Sequence, residues 1–297
     1  MKTAKGRERA RRARWSFGDR LAAAGGVRVS PVCLGWVGRA SLISEAYDAG
    51  INFFFLTADM HWPLYEAARR GLRDLLRRGG GVRDEIVVGV ASYVQQPEFC
   101  HVPFREVVSA VPGLGSIDVT IAGGSYGGEF LVRLAQYKAH RLPGGGPHRV
   151  PGVRATGASF HDRAAALLAL NHGLVDVAFA RYNADHPGAD DDLFAGLLPR
   201  DARPKSLLFN FNSTRGYVGE ARFRELGLSA DHWHPALPDY YRFALRRPEI
   251  DGILCGLRDG KELDALAAAL RAGPVSDDEA AYMRDLAALS AGRRELA

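Results

Sequence analysis

The feature that most restricts the fold of this chain is an alternation. Short runs of β-branched and aromatic residues are each followed by a longer stretch of helical spacing, and the pair recurs eight times. The strand segments are Val32–Trp36, Asn52–Leu56, Ile86–Ala91, Asp118–Ala122, Arg154–Ala158, Val175–Ala180, Ser206–Asn210 and Ile250–Leu254. The helical segments lie near Ser41–Ala49, Leu64–Arg77, Phe104–Val111, Gly128–His140, Asp162–Asn171, Asp190–Leu197, Asp239–Arg246 and Asp259–Arg271. In the second of these, Leu64, Ala68, Leu72 and Leu75 recur at helical spacing while Arg69, Arg70, Arg73 and Arg77 take the other faces, so one stripe faces the strands. Most strand segments are apolar with little alternation, as parallel strands covered on both faces are. Eight such units without a long linker predict a single (β/α)8 TIM barrel, closed by an extra C-terminal helix over Asp277–Ala288. In such a barrel the chemistry sits at the carboxyl ends of the strands, so the residues just after each strand carry the functional information.

Composition agrees with a folded chain: 47% of the 297 residues are hydrophobic, within the roughly 45–50% usual for globular proteins. No window approaches the roughly 18–20 apolar residues of a membrane span. The Arg-rich N-terminus has no apolar segment of a secretory signal, which predicts a cytoplasmic protein without a membrane partner. Cys33, Cys100 and Cys255 are odd in number and far apart, so they make no closed disulfide framework and read as thiols. The net charge of +5 is concentrated in residues 1–20, where eight Lys/Arg face only Glu8 and Asp19 and the remainder is left at −1. That distribution predicts a basic, flexible tail over 1–20 ahead of a nearly neutral barrel over 21–297. It gives no basic face for specific nucleic-acid recognition.

Several stretches in order carry a resemblance: VRVSPVCLGW at 27–36, AYDAGINFF at 46–54, TAD at 57–59, SIDV at 116–119, RATGASFHD at 154–162, VDVAFARYN at 175–183, STRG at 213–216 and EIDGILCGLRDGKELDALAAAL at 249–270. Together they resemble the aldo-keto reductases across nearly the whole globular length. The resemblance implies the barrel and, in typical members, carbonyl reduction by NADPH with an Asp-Tyr-Lys-His tetrad. All four tetrad positions depart here: the Asp falls on Leu56 or Phe55, the Tyr on His61, the Lys on Tyr93 and the His on Gly123. Without a Lys⁺ and a carboxylate beside it, no tyrosine has the environment that tunes it as the proton donor of hydride transfer. Of the cofactor contacts, Ser159 matches a residue that holds the nicotinamide amide, whereas the usual Asn is Phe160 and the usual Gln is Phe179. A phenyl ring cannot hydrogen-bond a carboxamide. Ser213, Thr214 and Arg215 resemble the loop near the pyrophosphate, and Arg258 and Lys261 lie where the family binds the adenosine 2′-phosphate. NADP(H) is therefore a possible cofactor by resemblance, the two cations reading equally as surface charges at a helix start. RYNADHPGADDD at 181–192 is similar to a branch of the family that lacks the tetrad.

In place of the tetrad the mouth holds His61, Trp62, Tyr93, Cys100, His101, Ser125, Tyr126, Ser159, His161, Asn183, His186, Asn210, Asn212 and Arg258. His61 occupies the position that the resemblance places nearest to substrate, and an imidazole can take or give a proton at neutral pH, so it reads as a proton carrier or as a hydrogen-bonded rim histidine. Tyr93 donates to a substrate, stacks on it, or packs at the strand end. Trp62, Tyr126, Ser159 and Asn183 are candidates for substrate binding. Asp59, His61, His101, His161 and His186 are a metal-ligand set by type but follow no recognised ligand spacing, so no metal is assigned. Cys100 beside His101 is a nucleophile by type, though neighbours in sequence need not meet through their side chains. His232 and His234 fall in a long connection and read as a surface loop.

Three functions follow as expectations: acid/base chemistry on a small organic molecule, such as elimination, cyclisation or isomerisation; NADPH-dependent oxidoreduction with atypical proton delivery; or a non-catalytic binding barrel. Nothing in the sequence fixes an oligomeric state.

Overall fold

The computed structural model describes residues 15–140, 153–229 and 231–293. Eight parallel strands close into a barrel: β3 (Val32–Val37), β4 (Phe53–Thr57), β5 (Val87–Ser92), β6 (Val119–Ser125), β7 (Ala155–Phe160), β8 (Val177–Arg181), β9 (Leu207–Phe211) and β10 (Gly252–Leu257). Each pairs with the next, and β10 pairs with β3. All eight strand segments read from the sequence are present; the first starts at Val32 as read, the other seven start one or two residues later, and all end one to three residues later. One cause is visible at the amino rim. Asn52, Asp118, Asp176 and Asp251, read as strand residues, instead turn their side chains to the neighbouring strand and accept from the amides of Ser30 (2.7 Å), Val88 (2.8 Å), Thr156 (2.8 Å) and Leu208 (2.9 Å).

Helices α1 (Ser41–Asp48), α2 (Glu66–Leu76), α3 (Val82–Glu85), α4 (Val102–Ala110), α5 (Phe130–His140), α6 (Arg163–Asn171), α7 (Ala189–Asp192), α8 (Glu220–Glu225), α9 (Leu237–Leu245), α10 (Gly260–Ala272) and α11 (Asp277–Ser290) ring the barrel. The stretch near Leu64–Arg77 divides into a 3-10 turn, Trp62–Tyr65, and α2, and the stretch near Asp190–Leu197 into α7 and a 3-10 turn at Phe194–Gly196. Helix α11 is the expected closing helix. Its Ser276 hydroxyl caps the Glu279 amide, and the Glu279 carboxylate returns the bond to the Ser276 amide.

Two apolar layers hold the fold. The outer one lies between strands and helices and includes Leu34, Leu56, Val88, Phe160 and Leu266. The inner one fills the barrel with Cys33, Phe53, Phe55, Val87, Phe179 and Phe209. A hairpin that the sequence reading missed, β1 (Leu21–Ala22) with β2 (Arg28–Val29), adds Val27 and Val29 to the inner layer and plugs its amino end. Two residues are too few for a visible period, which is why the pattern hid it. Of the segment read as a tail, Trp15–Arg20 is packed on the barrel: the Trp15 amide donates to Leu270 O at 3.2 Å, and Phe17 is buried. Residues 1–14 lie outside the described residues. Among the described residues, no helix is long and apolar enough to cross a membrane.

Candidate functional site

The carboxyl mouth is floored by phenylalanine. Phe55 and Phe179 meet edge to face with ring centroids 5.6 Å apart, and Phe179 continues to Phe209 at 5.7 Å. Strand alternation decides between Phe55 and Leu56: Phe55 lies inside the barrel, whereas Leu56 belongs to the helix-facing layer. Phe55 and Phe179, which the resemblance aligns with the family's aspartate and glutamine, are thus two rings that pack on each other. Above them sits Tyr65, 6.0 Å from Phe55, a residue the sequence reading did not single out.

Tyr93 follows β5 and is held by its surroundings rather than by its hydroxyl. Its amide donates to Asp59 Oδ2 at 2.8 Å, and the Ser92 hydroxyl donates to the same oxygen at 2.8 Å. The other carboxylate oxygen accepts the Met60 amide at 2.7 Å. The phenol ring lies on Gly123 and Gly124, where an added Cβ would stand 2.9 Å and 3.2 Å from ring carbons. Tyr93 and the bare Gly123 therefore pack as one unit, because the ring takes the side-chain space. Strand β6 shifts register between Ala122 and Ser125 there, and Gly124 adopts φ 62°. Arg133 of α5, fully buried, fastens this corner by donating to Gly123 O at 2.8 Å and to Ser92 O. Burial, the Asp59 charge second, raises the Tyr93 phenol above its ordinary range against the opposing pull of Arg133, so it holds its proton at neutral pH.

His61 stands beside this tyrosine, ring centroids 5.3 Å apart at 80°. The two candidate catalytic residues, 32 positions apart in sequence, are thus brought together. Tyr126 stacks on His161 at 5.4 Å, and His161 meets Phe211 edge-on at 5.8 Å. Burial, with Arg181 second, lowers the His161 pKa. Ser159 accepts from the Gly124 amide at 3.0 Å. Trp62 lies under the Arg69 guanidinium at 3.6 Å and packs against the outer layer. Asn183 is fully buried, its amide donating to Asn212 O at 3.0 Å and its oxygen accepting the His186 amide at 2.8 Å, so it shapes the loop from below.

Among the described residues no three His, Cys, Asp or Glu side chains gather as metal ligands, so Asp59, His61, His101, His161 and His186 do not form one set. Burial pushes the Cys100 thiol up to about 11, which leaves it a poor nucleophile. His234 stacks on Phe223 at 4.3 Å and reaches Val218 O at 2.6 Å, while His232 pairs with Ser229 at the surface.

The residues that the resemblance assigns to a dinucleotide are largely engaged with neighbours. Ser213 is buried and accepts from Asn210 Nδ2 at 2.7 Å. Arg215 donates to Asp185 at 3.0 Å, and Arg293 binds the same carboxylate. Arg258 is held by Glu262 through Nε at 2.5 Å and through its amide at 2.7 Å. Thr214 is half-buried and Lys261 exposed at the start of α10. Ser213 is committed inside its loop, while the Arg215 and Arg258 pairs are exposed. A cleft between Trp36, Tyr65, Phe211, Thr214 and Tyr241 measures about 230 Å³. A larger hollow of about 540 Å³ lies along α4, at Val102, Arg105 and Ser109, and includes none of the mouth residues that meet Tyr93.

A closed parallel barrel with its polar cluster at the carboxyl mouth defines a (β/α)8 barrel protein. Among solved structures it is similar to the aldo-keto reductases. One from Bacillus halodurans aligns with a TM-score of 0.64 at 12% identity, over 90% of this chain and 96% of its own. A thermostable aldo-keto reductase in complex with the inhibitor epalrestat gives 0.64 at 13%, over 90% and 98%. One from Brucella melitensis gives 0.60 at 12%, over 91% and 98%. No family model and no curated protein sequence matches the chain. The fold is that of the aldo-keto reductases.

Proposed function

We propose that this barrel is an enzyme of non-redox acid/base chemistry acting on a small organic molecule, with His61 moving the proton and Tyr93 donating a hydrogen bond. The observation that carries this reading is the pairing of the His61 and Tyr93 rings at 5.3 Å above an apolar floor. An imidazole exchanges a proton near neutral pH, and a phenol that keeps its proton donates to a developing negative charge without being consumed. Asp59 and Arg133 hold the N–H and C=O of the Ser92–Tyr93 peptide, which supplies the rigidity such a donor needs. Ser159 and Tyr126 are proposed as substrate contacts at the rim.

The oxidoreductase reading receives no comparable support, since the carboxamide-binding glutamine is replaced by the buried Phe179 and Arg258 is held by Glu262. Two measurements test the proposal. Replacing His61 by Ala should lower turnover by about 10²–10⁴-fold, and NADPH at millimolar concentration should leave the thermal midpoint unchanged, because a ligand of the native state must raise it. Unaltered turnover in the His61 variant, or a midpoint raised by NADPH, would overturn it.

A further inference from the structure

Resting on the reading above, we infer that the substrate is a small carboxylic acid bound as its anion, with the Arg181 guanidinium as the anchor of its carboxylate. Arg181 ends β8, the strand that carries Phe179 in the floor of the mouth. Val177 and Phe179 belong to the inner layer of the barrel, Ala178 and Ala180 to the outer one. Strand alternation therefore turns Arg181 inward, one pleat of about 7 Å above Phe179. Its neighbours follow from the same register. Ser159 pairs with Phe179 across β7 and β8, and Phe211 pairs with Arg181 across β8 and β9. His161, from the end of β7, meets Phe211 edge-on at 5.8 Å, so the cation emerges from the strand between these two rings. Burial lowers the pKa of His161 and of His186, and Arg181 adds to it at both, against the pull of Asp185 at His186.

Arg181 lacks a counter-charge. It is half-buried, and among the described residues it makes no hydrogen bond and no ion pair. The carboxylates of the rim have donors of their own. Asp185 has Arg215 and Arg293, and Glu262 has Arg258. Asp59 has the amides of Met60 and Tyr93 and the Ser92 hydroxyl, and Asp162 has the amides of Gly127 and Ala164. A guanidinium partly withdrawn from water without a partner costs stability. Such a broken pairing rule inside a candidate site marks the place where a ligand supplies the missing charge.

The chemistry of the anchor selects the anion. A guanidinium presents parallel N–H donors that match the two oxygens of a carboxylate. One positive charge balances a monoanion. A phosphate dianion calls for a second, and Arg215 and Arg258 are paired already. His161 supplies a further contact, since its ring nitrogens make no hydrogen bond among the described residues and a neutral imidazole has one N–H to donate. The Phe55–Phe179 floor receives the apolar part of the acid. Ser159 joins the anchor to the proton-handling side, because it accepts the amide of Gly124, over which the Tyr93 ring lies. An anchor of this kind fixes one end of the substrate while the proton is moved at the other.

Ligand-observed NMR and thermal denaturation of the full chain test this with matched probes: propionate and benzoate against propionamide and benzamide, with inorganic phosphate as the second kind of anion. The carboxylates should bind with dissociation constants of about 1 mM, as fragments of this size do, at least about tenfold more tightly than the amides, and should raise the thermal midpoint. Arg181→Gln should abolish that preference, Arg181→Lys should keep part of it because the charge remains without the fork, and Arg258→Gln at the same rim should leave it intact. Without ligand, Arg181→Gln should unfold at or above the wild-type midpoint, since no partner within the fold is lost. Amides binding as tightly as carboxylates, a preference that survives Arg181→Gln, phosphate binding more tightly than the carboxylates, or an Arg181→Gln midpoint well below wild type would overturn the assignment. His61→Ala should leave probe binding unchanged. If the carboxylates bind as expected while His61→Ala retains full turnover, the acid/base reading falls and the anchor stands; carboxylates that fail to bind while that variant is inactive give the reverse.

Discussion

The phenol of Tyr93 occupies the side-chain space of residue 123: a Cβ built on Gly123 stands 2.9 Å from Tyr93 Cζ. The two positions are coupled although neither hydrogen-bonds the other. Gly123→Ala should cost about 1–3 kcal/mol, as overpacking does, and should displace the proposed donor. Adding Tyr93→Ala should recover part of that loss, and a double-mutant cycle from chemical denaturation would show the non-additivity. Strict additivity would mean that the ring is not what Gly123 accommodates.

Asp59 accepts three hydrogen bonds, two on one oxygen. Asp59→Asn leaves one carbonyl acceptor and places an amide NH2 group against former donors, so stability should fall by about 1–3 kcal/mol. The lost charge is the second cause, after burial, of the raised Tyr93 phenol. Tyr93 should then ionise at lower pH, which ultraviolet tyrosinate titration against a Tyr93→Phe control would register.

Arg133 satisfies two carbonyls at the ends of β5 and β6 from a fully buried position. Arg133→Met keeps the volume and removes the donors, leaving Ser92 O and Gly123 O without this partner at about 1–3 kcal/mol each. Denaturation should show the loss, and tyrosine signals in NMR should show Tyr93 loosened.

His161 resists protonation in the folded state, through burial first and Arg181 second. Its folded pKa lies below its unfolded value of about 6.5. The sign follows: its contribution to stability is complete above about pH 6.5 and declines as the pH falls from there through the lower folded-state value. His161→Gln should flatten that part of the curve of thermal midpoint against pH, and an imidazole NMR titration should place the folded value directly.

All three thiols are buried, with Cys33 raised well above its ordinary value, Cys100 up to about 11 and Cys255 up to about 12. A disulfide reagent at pH 8 should leave native protein nearly unreacted and titrate three thiols after unfolding. Rapid modification of Cys100 in native protein would show that the Cys100–His101 pair is reactive after all.

The sequence by itself determined the eight βα units, the closing helix and the carboxyl rim as the place of His61 and Tyr93. Those features are written in local periods: apolar runs of strand length and helical stripes such as Leu72 and Leu75. Only the tertiary structure decided which of Phe55 and Leu56 faces inward, that Phe55 meets Phe179, that Tyr93 fills the space over Gly123, and that Tyr65 enters the mouth. It also showed Arg215 and Arg258 committed to Asp185 and Glu262. The physical reason is that each of these facts is a relation between side chains on separate elements. Strand register, the β6 bulge and ring packing set such relations, and no period within a single segment records them.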